Sequence, residues 1–156
     1  HHLYKIPVSC LRFFTVYGPR QRPDLAIRKF TELIDHNQPI TMYGDGTTER
    51  DYTFFSDIID GVASVLDKQI DFEIINLGDS KPIQLKKLID LIEQELGKKA
   101  QIKKLPEQPG DMHRTYADIR KAERFLQYQP KVPIEQGIRL FVAWYKERKN
   151  KRQSLL

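Results

Sequence analysis

Much that would declare a function outright is missing from these 156 residues. There is a single cysteine, Cys10, so no internal disulfide forms and nothing calls for an oxidising compartment. Its setting in VSCLRFF reads as a buried, inert thiol. No apolar run approaches the roughly 20 residues that span a bilayer, so no membrane role is expected and the cytoplasm is the expected location. The opening HHLYKIPVSC has no Met and no secretory apolar stretch, and its residues look like the middle of an element. His1 and His2 are open to reading as tag remnants. No G-x-G-x-x-G, Walker-type loop or G-x-S-x-G elbow occurs. There is no internal repeat and no low-complexity segment.

What is present suits one ordinary domain. Apolar residues make up 40% of the chain, enough for a core, and charged residues 30%, which argues for a soluble protein. The net charge of +5 raises the question of a polyanionic partner. Much of the excess lies in KERKNKR, Lys146 to Arg152, which a solvated helix end explains. Elsewhere basic and acidic residues alternate, without the aromatic-basic interleaving of RNA binders. A small anionic ligand is expected rather than nucleic acid.

Residues 8–14 form a short β-rich apolar run, a buried strand by composition, and the Gly- and Pro-containing TVYGPRQRP reads as the loop after it. Pro23 suits the first turn of a helix whose apolar positions run from Leu25 to Ile34. PITMYGDGTTERDYTFF reads as a hairpin turning at Asp45-Gly46. Ser56 or Asp57 is placed to cap the following helix. Residues 72–77 are a second buried strand, and QLKKLIDLIEQELG is an amphipathic helix closed by Gly97. Residues 101–105 form a strand, Asp118 is placed to cap a short helix, and Pro133 begins the last one. This alternation is an α/β pattern with mostly parallel strands.

Candidate chemistry is sparse. Arg50, in TTERDYTFF, offers a rigid fork to a phosphate or carboxylate, or a surface ion pair with Glu49 or Asp51. Arg12, Arg20 and Arg22 frame the loop after the first strand, where open α/β sheets collect ligands; a solvated basic loop explains them equally. Asp111, His113, Arg114 and Asp118 sit in PGDMHRTYAD without metal-ligand spacing, so no metal site is expected. Tyr17, Tyr43, Tyr52 and Tyr116 read as core or pocket wall. The residues alone lead to an α/β domain with an anion site.

Four segments carry a resemblance: LRFFTVYGPRQRPDLAIRKF, PITMYGDGTTERDYTFFSDIIDGV, INLGDSKPIQLKKLIDLIEQELG and QPGDMHRTYADIRKAERFLQYQP. In order and spacing, over residues 4–147, they resemble the C-terminal half of NAD-dependent nucleotide-sugar epimerases of the extended short-chain dehydrogenase family. FFTVYGPRQRPD and QPGD look most like the UDP-glucuronate 4-epimerase branch. The resemblance implies the last strands of a Rossmann-type sheet (8–14 and 72–77) and a small substrate-binding subdomain (20–55 and 98–147), the NAD-binding part lying outside residues 1–156.

It also implies roles. Phe14 and Val16 become cofactor-wall positions, and Thr15 a contact to the sugar, where Thr rather than Asn points to a uronate. Arg22 lies near the nucleotide sugar, Thr41 and Tyr43 hold the base, and Arg50 clamps the diphosphate. Gln108 and Asp111 contact ribose and phosphate, Gln108 standing where many galactose epimerases carry Arg. In the family a Tyr phenolate, lowered by a nearby Lys, takes the C4 hydroxyl proton while hydride passes to NAD and then returns to the other face. That Y-x-x-x-K pair is expected upstream of His1. Tyr145 and Lys149 match the pattern by chance, in a terminal helix with no cofactor loop ahead. The isolated chain is therefore expected to be inactive and prone to self-association, the full-length protein to be a homodimer, and surface polysaccharide synthesis the setting. Alternatives are a UDP-glucose 4-epimerase, a nucleotide-sugar decarboxylase or 4,6-dehydratase, and a non-catalytic nucleotide-binding module.

Overall fold

A computed structural model describes residues 1–154, the side chains of 152 and 153 excepted. In chain order the elements are β1 (Val8–Phe13), β2 (Thr15–Tyr17), α1 (Ala26–Asp35), β3 (Ile40–Tyr43), β4 (Glu49–Arg50), β5 (Tyr52–Phe54) and α2 (Phe55–Leu66). There follow β6 (Phe72–Leu77), β7 (Ile83–Gln84), α3 (Leu85–Leu96), β8 (Ile102–Leu105), α4 (Arg120–Leu126) and α5 (Ile134–Gln153). The strands make short ladders: β1 with β6, β2 with β5 and β3 with β8 are parallel, and β4 with β7 is antiparallel.

The expected hairpin does not form. β3 turns away at Gly44 and Gly46, whose φ angles of 72° and 86° suit glycine, and pairs with β8. β4 and β5 instead join β7 and β2. The Asp-Gly turn is real, but the apolar faces of its two flanks find deeper partners elsewhere in the chain.

Two cores result. One gathers Ile27 and Ile34 of α1, Ile40 of β3, Leu88 and Ile92 of α3, and Ile138 and Phe141 of α5. In α1 the buried positions Ile27, Phe30, Thr31 and Ile34 follow the helical stripe, and the Thr31 hydroxyl donates to the Ile27 carbonyl at 2.7 Å. The other core lies on one face of β1 and β6, where Ile75, Leu77, Ala122, Leu126 and Tyr128 pack.

The opposite face of that two-stranded sheet is open. Val8, Cys10 and Arg12 align with Phe72, Ile74 and Asn76, and Phe72 and Ile74 are 48% and 46% exposed. Cys10 is thus exposed rather than buried, because it points to the uncovered face. Both strands were expected to be buried; in β6 only Ile75 and Leu77 are, while in β1 Leu11 is half-buried and Phe13 is 52% exposed.

Helix ends differ in detail from expectation. α2 is preceded by Phe54 at its N-cap, with no side-chain cap. The Asp57 carboxylate reaches instead to the Val132 N–H at 3.1 Å. α4 has Ile119 at its N-cap, while Asp118 accepts the Arg120 N–H at 3.1 Å and pairs with its guanidinium. Gly97 ends α3 in the left-handed conformation, as its position suggested. α5 continues through the basic run, whose Arg152 side chain lies outside the described residues. Within it Lys146 donates to the Glu95 carbonyl, Lys149 to Asp35, and Lys151 pairs with Glu147. No helix among the described residues is long and apolar enough to cross a membrane.

Candidate functional site

The best-furnished hollow is a cleft of about 300 Å³ between α1, the ends of β3 and β4, and the loop after β8. Thr41, Tyr43, Arg50 and Asp111 all line it. Gln108 lines a smaller hollow adjoining it, together with Tyr43 and Asp111. Five of the seven expected substrate contacts therefore come together. Arg22 does not line the cleft; it is exposed and paired with Asp24, a residue of the cleft wall, at 3.0 Å. Thr15, Phe14 and Val16 stand apart from it, half-buried at the carboxyl end of β1 and in β2.

Arg50 is presented by backbone geometry. β4 pairs with β7 on one side, and on the other Glu49 bridges the loop 106–117 through His113 and Thr115. The guanidinium donates to the Glu49 carbonyl at 2.9 Å and to Asp111 at 2.6 Å. The ion pair expected with Glu49 or Asp51 is absent: Glu49 pairs with Arg114 at 3.0 Å, and Asp51 is fully buried. Asp111, His113 and Asp118 turn to different partners, Arg50, Glu107 and Arg120.

Residue patterns missed part of the wall. Lys29 and Phe30 of α1 and Thr48 also face the cleft, joined by Tyr52, which was expected as core or pocket wall. The spacing of Ala26, Lys29 and Phe30, one and the same helical face, was the signal for Lys29. Among the described residues Asp24 is paired with Arg22 and Asp111 with Arg50, leaving Lys29 as the cleft's cation without a carboxylate partner. Burial pushes the Tyr52 hydroxyl up to about 12 against the pull of Arg50, so it stays a neutral phenol. Together these groups offer a cationic floor for an anion and an aromatic wall, Tyr43, for a planar ring.

The Tyr145–Lys149 pair lies elsewhere and is spoken for. Both donate to the Asp35 carboxylate, at 3.0 and 2.5 Å, and Lys98 joins them there. Burial and then the bond to Asp35 push the Tyr145 hydroxyl up, the opposite of what a proton-abstracting phenolate needs. Burial alone would raise Asp35, but its bonds from Lys149, Lys98 and Tyr145 outweigh it and hold the carboxyl below the usual range. This is a knot between α1, α5 and the turn after α3.

Comparison with known proteins gives this geometry a context. The chain matches the family described as GDP-mannose 4,6 dehydratase over residues 1–141. It is 50% identical over 150 residues to an uncharacterised protein of Methanocaldococcus jannaschii, covering 96% of this chain and 46% of that protein. It is 43% identical to a UDP-glucuronate 4-epimerase of Thermodesulfobacterium geofontis, covering 94% of this chain and 46% of that enzyme. The UDP-glucuronic acid 4-epimerase of Bacillus cereus, solved in complex with UDP-glucuronic acid and NAD, superposes with a TM-score of 0.89 at 38% identity, covering 95% of this chain and 48% of that one. The chain thus spans a little under half the length of these relatives.

Proposed function

The chain belongs to the GDP-mannose 4,6-dehydratase family, and we propose that it is the substrate-holding portion of a larger NAD-dependent UDP-sugar 4-epimerase acting on UDP-glucuronate and UDP-galacturonate. The observation that carries this reading is the cleft in which Arg50, Asp111, Thr41 and Tyr43 converge. In it Arg50, with Lys29 beside it, holds the diphosphate by charge-assisted bonds, and Tyr43 and Thr41 flank the base. A diphosphate displaces Asp111 from the guanidinium, freeing that carboxylate for ribose hydroxyls. Thr15 contacts the sugar, and Arg22 and Gln108 stand at the rim. The likeness to UDP-glucuronate 4-epimerases in sequence and structure supports the uronate assignment.

The residues present suit only one wall of an NAD site. Phe14 and Val16 pack half-buried against the second core, apolar neighbours fit for a planar ring. The chain carries no glycine-rich loop for a dinucleotide diphosphate, so that part of the site comes from residues beyond these 156. When bound, NAD supplies reversible hydride acceptance at the sugar. Residues 8–14 and 72–77 then belong to its sheet, and 20–55 and 98–147 form the substrate subdomain. A single exposed thiol is compatible with a cytoplasmic enzyme.

The intact enzyme, incubated with UDP-glucuronate, should yield UDP-galacturonate by proton NMR without mass change. Arg50→Ala should abolish turnover at ordinary substrate concentration. An intact protein inactive on every UDP-uronate and UDP-hexose would defeat the proposal. The family's own description favours one second reading, a 4,6-dehydratase, which the loss of water from the product would reveal.

A further inference from the structure

Asp51 is fully buried, and its carboxyl oxygens gather three backbone N–H groups. Asp79 donates to one oxygen at 2.9 Å, and Ser80 and Ala117 to the other at 3.0 and 2.9 Å. Its own backbone is tied as firmly. The carbonyl accepts the Thr15 N–H at 3.1 Å, and the N–H donates to the Thr115 hydroxyl at 3.0 Å. Arg50 is the residue before it, and Thr115 ends the loop that brings Asp111 to Arg50.

The segments held there come together under constraint. Ser80 takes a left-handed φ of 61°, uncommon for a residue with a side chain. A Cβ on Gly78 would lie 2.3 Å from the Ala117 Cβ, so the two segments touch through the missing side chain. Buried carboxyl groups are costly to desolvate unless bonds compensate, and here backbone donors provide them from positions 28 and 66 residues away in sequence. A mere filler of the core would be apolar.

We propose that Asp51 is a positioning residue coupling the sugar end of the site, at Thr15, to the diphosphate clamp formed by Arg50 with the loop of Asp111. It touches no ligand. It sets the distance between two groups that grip adjoining parts of one substrate, its sugar and its diphosphate. The inference rests on the UDP-sugar reading above, and it adds that the two grips are not independent.

The test is a double-mutant cycle in the intact enzyme with UDP-glucuronate, combining Asp51→Asn with Thr15→Ala. Asp51→Asn should raise KM for the UDP-sugar at least about tenfold while NAD affinity stays within about twofold. In that background Thr15→Ala should cost less than about half, on a logarithmic scale, of what it costs in the wild type. Ile138→Val, in the core of α1, α3 and α5, controls for lost stability and should leave the Thr15→Ala effect intact. Where Asp51→Asn does not fold, Thr115→Val removes only the hydroxyl on the Asp51 N–H, and the same shrinkage of the Thr15→Ala effect is expected. Effects that multiply independently in either background overturn the coupling. A wild-type enzyme silent on all UDP-sugars sinks the substrate reading and this inference with it; an active enzyme with an additive cycle sinks this inference alone.

Discussion

Arg50 is held from two directions, by the Glu49 carbonyl and by Asp111, so little side-chain freedom remains to be lost when a diphosphate arrives. Replacing it by Ala should weaken UDP binding by roughly 100-fold, about 3 kcal/mol, as expected for lost hydrogen bonds to a charged group. Arg50→Lys keeps the charge but not the fork and should cost about tenfold. Calorimetry with UDP on the intact enzyme measures both, and equal affinity for the wild type and the Ala variant would remove Arg50 from the site. Asp79 offers a separate reading through pH. Burial pushes its carboxyl up to about 6 despite Lys81, with Asp51 and Asp57 adding to the rise, against 3.8 for an ordinary aspartate. Between those values the folded chain holds a proton that the unfolded chain has released, so this group favours folding below about pH 4 and loses that effect as pH rises through 6. Asp79→Asn should therefore add on the order of 2 kcal/mol at pH 7 and flatten stability between pH 4 and 6, measured by urea midpoints. An unchanged pH profile would refute it. The resemblance, rather than the residue pattern, pointed to Arg50, and the structure places it in the cleft. Asp51, its neighbour, was not legible: two opposite charges side by side suggest an ion pair, and only the fold reveals distant backbone donors.

At the scale of elements the helices were legible and the strand partners were not. The apolar stripe of α1 and the Gly97 stop of α3 follow from local spacing, which a linear sequence displays. The choice between a β3 hairpin and a β3–β8 ladder depends on residues some sixty positions apart, and an Asp-Gly turn cannot decide it. Close approach between elements was equally hidden. Gly137, in the first turn of α5, looks like a helix weakness, but a Cβ there would sit 1.9 Å from the Tyr17 hydroxyl. Among the described residues that buried hydroxyl has no hydrogen-bond partner. Gly137→Ala should destabilise the fold by roughly 1–3 kcal/mol through overpacking, although Ala favours a helix by about 1 kcal/mol. Tyr17→Phe removes the unpartnered oxygen and should recover part of that loss in the double variant. Thermal melts of the four proteins test this, and a stabilising Gly137→Ala would show that β2 and α5 lie farther apart than described.

At the scale of the molecule, the open face of β1 and β6 sets the behaviour of these 156 residues expressed alone. Val8, Cys10, Phe72 and Ile74 form an apolar strip on it, and β1 has no strand on its other edge among the described residues. Unpaired strand edges recruit other strands, and exposed apolar strips seek cover. In the proposed larger enzyme, further polypeptide lies against this face. The isolated chain has only copies of itself, and it should associate at micromolar concentration. Each large apolar side chain covered contributes roughly 1.5–3 kcal/mol, so Ile74→Asp should weaken association by about 10- to 100-fold. A substitution such as Leu140→Asp, exposed on α5 away from the sheet, should leave it unchanged. Analytical ultracentrifugation of the three chains distinguishes the cases. A wild-type chain that stays monomeric across the whole concentration range would mean that the face is covered from within, by a rearrangement of the first seven residues or of α4. No missing neighbour would then be needed, while the cleft around Arg50, built from the other core, would stand.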